Sequence, residues 1–340
     1  MDGSNHESRG DLSSSSGYQA PKIGLALGAG VARGWSHIGV LRALARHGIK
    51  PDVIAGTSIG AVVGGAYAGG KIDQLADWAT SVNRLKILSH LDLRLAGGGL
   101  IGGDKLAGAM REELGNFIIE ELPIRFAAIS ADLVTGHEVW LRRGDLVDGI
   151  RASMSLPGIF HPVLHQGRWL VDGAIVNPVP VSACRALGAQ LVIAVNLSGD
   201  LIGQIRSNNG PVPRVAGFDV LPELEQAAPR AGLTRLRDRL WSPITQALFS
   251  RANRDTPSLF GSMVATLNVV QDRITRSRLA GDPPDVQISP KVGHIGLMEF
   301  DRAEELIRLG EAAVDSTLSD LDDMLAVHGV PGGLGGRGWF

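Results

Sequence analysis

The sequence predicts an α/β fold of three layers, α/β/α, with helices on both faces of a mainly parallel central sheet. Two observations carry that expectation. Short apolar runs, each ending in glycine or a Gly-flanked turn, alternate with segments of helical periodicity, and a β-α-β-α order implies a parallel sheet covered by helices. The run "AQLVIAVNL" (189 to 197) is uncharged and rich in β-branched residues, as a strand buried on both faces requires. With 340 residues, 44% of them hydrophobic, the chain is long enough to bury a large core.

The elements follow in order. "KIGLAL" (22 to 27) is a buried strand that stops at Gly28. Residues 35 to 47 place Ile38, Leu41, Leu44 and Ala45 on one helical face, and Gly48 closes the helix. Residues 53 to 55 form a second strand, and 59 to 68 a helix of small residues that packs closely. The charge-free stretch 53 to 70 is long enough to raise the question of a membrane span, but its six glycines and its strand-like start read as buried core. "RFAAISAD" (125 to 132) and "HEVWLRR" (137 to 143) are strands joined by a turn at Thr135-Gly136, and 146 to 153 is a helix. "GRWLVDGAIVNPVP" (167 to 180) is a strand ending at Asp172, followed by a Gly/Pro-punctuated loop. On this reading the core closes near residue 200.

The chain divides into a disordered leader (1 to 21), a catalytic domain (22 to 200), a variable segment (201 to 260), a helical part packed on the core (261 to 328) and a flexible tail (329 to 340). In the variable segment, Leu233, Leu236, Leu240 and Trp241 with Arg235, Arg237 and Arg239 fit two descriptions. One is a surface helix packed on the core; the other is a basic amphipathic helix resting on lipid, which makes the segment a lid or membrane contact. Beyond it the pattern gives a helix over 257 to 280, a short strand "DVQIS" and a helix over 301 to 325. A formal net charge of -2 supplies no basic face for nucleic acid. Cys184 is the single cysteine, which excludes an intrachain disulfide and a cysteine metal site and suits a reducing, cytoplasmic compartment. The first 22 residues have no apolar core of a secretory signal.

Two glycine-rich turns carry the chemistry. Gly56-Thr57-Ser58-Ile59-Gly60 matches G-x-S-x-G, in which a strand turns so sharply into a helix that the serine oxygen projects from the corner. The plain alternative for Ser58 is a helix N-cap. "LGAGVARG" (27 to 34) lies between a strand and a helix, where outward N-H groups favour a phosphate or an oxyanion. A dinucleotide fingerprint fits it poorly: Gly28 and Gly30 match, but Arg33 occupies the third glycine position and Asp52 precedes the second strand. Both turns open on the carboxyl edge of a parallel sheet, where a nucleophile and its oxyanion donors must meet. Neither His294 nor His328, the late histidines, has a motif around it; His137, His161 and His165 read as surface or loop residues, and no metal site is expected. Asp172, at a strand end after Trp169, Leu170 and Val171, is the candidate base, with a simple turn residue as its alternative.

Taken together, "GAGVARG", "GTSIG" and "DGA" resemble the patatin-like phospholipase family. "GLALGAGVARGWSHIGVL" and "RASMSLPGIFHPV" are similar to its bacterial RssA-like, neuropathy-target-esterase branch, over residues 22 to 200 and weakly over 283 to 303. The resemblance implies a patatin-like fold with a Ser-Asp dyad that hydrolyses acyl esters of phospholipids or lysophospholipids, without metal or cofactor. By motif, Ser58 is the nucleophile and Asp172 its base. The N-H groups around Ala29, Gly30 and Val31 form the oxyanion hole, and Arg33 braces that loop. Gly28, Gly34, Gly56, Gly60 and Gly173 support the turns. The chain departs from the family's run of glycines at Ala29 and Val31. Implied partners are a lipid or acyl-ester substrate, a peripheral membrane contact and a second copy of the chain. The second function class is a regulatory or interaction protein that keeps this fold with a slow dyad.

Overall fold

In the computed structural model, the residues described are 20–81, 99–199 and 259–328. The expected leader, most of the variable segment with its arginine-rich helix, and the tail lie outside them.

An eight-stranded sheet forms the middle layer. Strand β1 (Ile23–Leu27) leads through a 3-10 turn at Val31–Trp35 into helix α1 (Ser36–Arg46). Strand β2 (Val53–Thr57) leads into α2 (Ile59–Ala68), then α3 (Ile72–Ser81). A short strand β3 (Gly99–Ile101) and helix α4 (Asp104–Leu114) precede β4 (Arg125–Asp132) and β5 (Glu138–Leu141). Helix α5 (Leu146–Ser153) starts where the Asp145 side chain accepts the Asp148 N-H, an N-cap. Strands β6 (Gly158–Phe160), β7 (Val163–His165) and β8 (Arg168–Asp172), helix α6 (Val181–Ala186) and strand β9 (Leu191–Val195) follow. The last elements are α7 (Leu259–Gly281), β10 (Val286–Ile288), α8 (Ala303–Asp315) and α9 (Leu318–Val327).

Across the sheet the order is β10, β9, β1, β2, β4, β8, β7, with β5 also on β4. The five strands from β10 to β4 run parallel; β8 and β5 pair antiparallel with β4, and β7 pairs antiparallel with β8. The fold is therefore α/β with a mixed, mostly parallel sheet. Side-chain alternation splits the core in two. Leu25, Leu27, Ile54, Ile193 and Val195 pack with residues of α1, α2, α5, α8 and α9, whereas Ala26, Val53, Ala55, Val192 and Ala194 pack with α6 and Leu279 of α7.

Three differences from the sequence expectation have physical causes. The sheet does not close near residue 200: β10 pairs with β9 and forms its outer edge. The helix expected over 301 to 325 is broken at Ser316-Thr317, whose hydroxyls both bond the Ala313 carbonyl and compete with the helical ladder. The charge-free stretch 53 to 70 is β2 and α2, and among the described residues no helix is long and apolar enough to cross a membrane. Helix α8 lies on α1 with backbones in contact, because a Cβ on Gly39 would strike the Ile307 carbonyl and one on Gly310 the Ser36 carbonyl.

Candidate active site

Ser58 sits at the corner between β2 and α2 with φ 57° and ψ -122°, a conformation that costs a non-glycine residue energy. The corner is so tight that a Cβ on Gly56 would run into the Gly60 carbonyl, and one on Gly60 into the Leu27 carbonyl. The second contact also presses the end of β1 against the start of α2, so the loop after β1 lies beside Ser58. Two hydrogen bonds hold the strained residue: its N-H donates to Ser153 Oγ at 3.0 Å, and Ser153 Oγ in turn donates to the Ile129 carbonyl.

Asp172 ends β8, opposite Ser130 of β4. Ser58 Oγ donates to Asp172 Oδ2 at 2.6 Å, although the residues are 114 positions apart. The other carboxylate oxygen, Oδ1, accepts the Ala174 N-H at 2.8 Å, and the Asp172 N-H donates to the Ser155 carbonyl. The Asp172 side chain is fully buried, and desolvation raises its pKa from 3.8 to about 6 against the two hydrogen bonds that favour the charged form. Ser58 does not act as an N-cap, since its side chain makes no capping bond. Gly173, the next residue, packs against the Ile129 carbonyl.

The loop from Gly28 to Gly34 supplies the third part. Gly28 N-H donates to Val195, and Ala29 N-H donates to the Pro178 carbonyl at 2.9 Å. The Ala29 amide is therefore occupied, which removes one of the three expected oxyanion donors. Among the described residues the N-H groups of Gly30 and Val31 have no hydrogen-bond acceptor, and Ile59 and Gly60 head α2 with their N-H groups outside its ladder. Val31 takes φ 52°, a strained conformation for a β-branched residue. Its side chain is held in a cluster with Leu156, Ile159, Val264 and Leu297, so packing replaces the glycine that the family pattern places there. Arg33 is buried; its Nε donates to the Ile295 carbonyl at 2.7 Å and its Nη2 to Gly293. Gly34 packs on Ile59 at the head of α2.

Two positioning residues escaped the sequence reading. Ser153 lies inside the quoted "RASMSLPG" stretch, but nothing in one sequence distinguishes it from its neighbours. His37 is buried in α1, and its Nε2 donates to the Gly28 carbonyl at 2.7 Å. Burial lowers its pKa to about 4, so the ring is neutral near pH 7, and Nδ1 has no partner among the described residues.

The fold and site define a chain with a mixed α/β sheet and a serine at a strand-to-helix corner, bonded to a buried carboxylate beside open amide groups, with no histidine bonded to that serine among the described residues. A family model described as patatin-like phospholipase matches residues 25–185. The uncharacterized NTE family protein Mb1092c of Mycobacterium bovis is 35% identical over 346 aligned positions, covering 90% of this chain and 94% of that protein. Lysophospholipase NTE1 of Pyricularia oryzae is 28% identical over 296 positions, covering 85% of this chain and 18% of that larger protein. The chain belongs to the patatin-like phospholipase family, on its NTE branch.

Proposed function

We propose that the protein is a serine acyl hydrolase that cleaves fatty-acyl esters of phospholipids or lysophospholipids with Ser58 and Asp172. The observation that carries the reading is the 2.6 Å hydrogen bond from Ser58 Oγ to a carboxylate whose burial raises its basicity. Family membership and the lysophospholipase name of one relative favour a lipid ester over other acyl substrates.

In the proposed reaction Asp172 Oδ2 takes the Ser58 proton as Oγ attacks the ester carbonyl carbon. The Gly30 and Val31 N-H groups and the start of α2 stabilise the resulting oxyanion. Collapse expels the glycerol oxygen, which takes the proton from Asp172, and leaves an acyl-serine. Water, deprotonated by the same carboxylate, then attacks that ester, releasing the fatty acid and restoring Ser58. A small cleft against the loop, lined by Val31, Leu156, Val264, Leu267 and Leu297 together with Arg33, Ser198, Asn268 and Gln271, borders the Gly30 and Val31 amides.

The test is covalent labelling with a fluorophosphonate, with the site mapped by mass spectrometry. The folded protein is expected to be labelled on Ser58, and Ser58→Ala and Asp172→Asn to lose both the label and hydrolysis of a panel of phospholipids and lysophospholipids. Folded protein that resists the reagent, or equal labelling of Ser58→Ala, overturns the hydrolase reading and favours a regulatory role.

A further inference from the structure

Four large apolar side chains stand exposed where two hairpins meet: Leu133 at 52%, Val134 at 80%, Leu164 at 58% and Trp169 at 47%. Their grouping follows from the register. Leu164 is directly opposite Trp169 in the β7-β8 pair, and the Leu133 N-H donates to the Trp169 carbonyl at 2.8 Å. Side chains opposite one another share a face, so Leu133, Trp169 and Leu164 form one row across three adjacent segments, while Leu170 on the other face is fully buried. The β7-β8 turn is made by Gln166 and Gly167 at φ 48° and 79°, a tight two-residue reversal that holds the row rigidly.

The row stands on the catalytic edge of the sheet. Thr57 is paired with Ile129 of β4, and Asp172 with Ser130, so β4 runs on past the level of Ser58. Trp169 lies three residues beyond Asp172 in that direction, about 10 Å at the strand rise. The residues 133 to 137 and 161 to 171 contain no carboxylate. Asp132, at the base of one hairpin, is turned inward and accepts the N-H groups of Val134 and Thr135. Arg168, beside Trp169, is well exposed, with its Nε 4.0 Å from Asp132.

We infer that this surface docks the protein on a lipid aggregate bearing anionic headgroups, with Trp169, Leu133, Val134 and Leu164 entering the interface and Arg168 at headgroup level. A tryptophan with one apolar and one polar edge suits that boundary. The inference rests on the lipid-ester reading for its purpose, but its binding step does not depend on Ser58. Co-sedimentation with phosphatidylcholine vesicles, with and without one third phosphatidylglycerol, tests it. Wild-type protein and Ser58→Ala are expected to bind the anionic vesicles equally. Leu133→Ser/Trp169→Ser is expected to lose about tenfold or more in partitioning, and Arg168→Glu to lose the preference for phosphatidylglycerol. Hydrolysis of a soluble short-chain ester by the Leu133/Trp169 variant stays within about twofold of wild type, showing an intact fold and site. Unchanged partitioning of that variant overturns the inference. So does a reversible dimer that the substitutions dissociate, which assigns the patch to a second copy. Failure of Ser58 labelling with vesicle binding intact removes the hydrolase reading alone.

Discussion

Asp172 and His37 face opposite consequences of the same burial. A carboxylate raised to about 6 is ionised at pH 7 to 8, as the proposed base role requires. The rate of Ser58 acylation by a soluble ester is expected to climb with pH through an apparent pKa near 6. A flat profile from pH 5 to 8 would remove Asp172 from the base role. The same shift affects stability. Below 3.8 the group is protonated whether folded or unfolded, and above about 6 the folded state must keep a buried charge. Asp172→Asn is therefore expected to melt progressively higher relative to wild type as pH rises from 4 to 7. His37 runs the other way: its folded value of about 4 lies below the ordinary 6.5, so its contribution is complete above 6.5 and lost as pH falls towards 4. His37→Phe is expected to flatten that acid loss while slowing acylation, because the Gly28 carbonyl loses its donor. Melting curves at pH 4.5 and 7.5 decide both.

At the scale of elements, the Gly28 to Gly34 loop is braced from a distance. A brace at Arg33 was only what the family resemblance implied, and its acceptors lie at Gly293 and Ile295, more than 250 positions away. No pattern within one chain announces a bond to a backbone carbonyl, because any residue supplies one. The Ser58 corner was legible for the opposite reason: its sterics restrict residue type at Gly56 and Gly60. Asp172 was legible through its strand end and its Gly-Ala sequel, whereas the β7-β8 hairpin was not, since Gln-Gly is a weak signature for a two-residue reversal. Arg33→Met is expected to leave Ser58 and Asp172 bonded but to slow fluorophosphonate labelling about tenfold or more, through misplacement of the Gly30 and Val31 amides. Labelling within twofold of wild type would show that Val31 packing alone fixes the loop.

For the whole molecule, the question is whether the site can exist without the segment after residue 258. The apolar pattern of the first 200 residues predicts a core that closes near residue 200, because alternating strands and helices are local signals. Three long-range contacts contradict that. β10 covers the outer edge of β9, α8 lies on α1 at the Gly39 and Gly310 crossing, and the 293 to 297 stretch bonds Arg33 and the Ala32 N-H. Removing them would expose the α1 residues that pack with Leu306 and Val314, and would free the loop carrying the amide donors. A fragment ending at residue 200 is therefore expected to lose the sharp thermal transition of the full chain, to bind a hydrophobic dye, and to resist fluorophosphonate despite retaining Ser58 and Asp172. A fragment that melts cooperatively and labels at the full-length rate would show that strand, helix and tether are accessories to a catalytic unit complete in its first 200 residues.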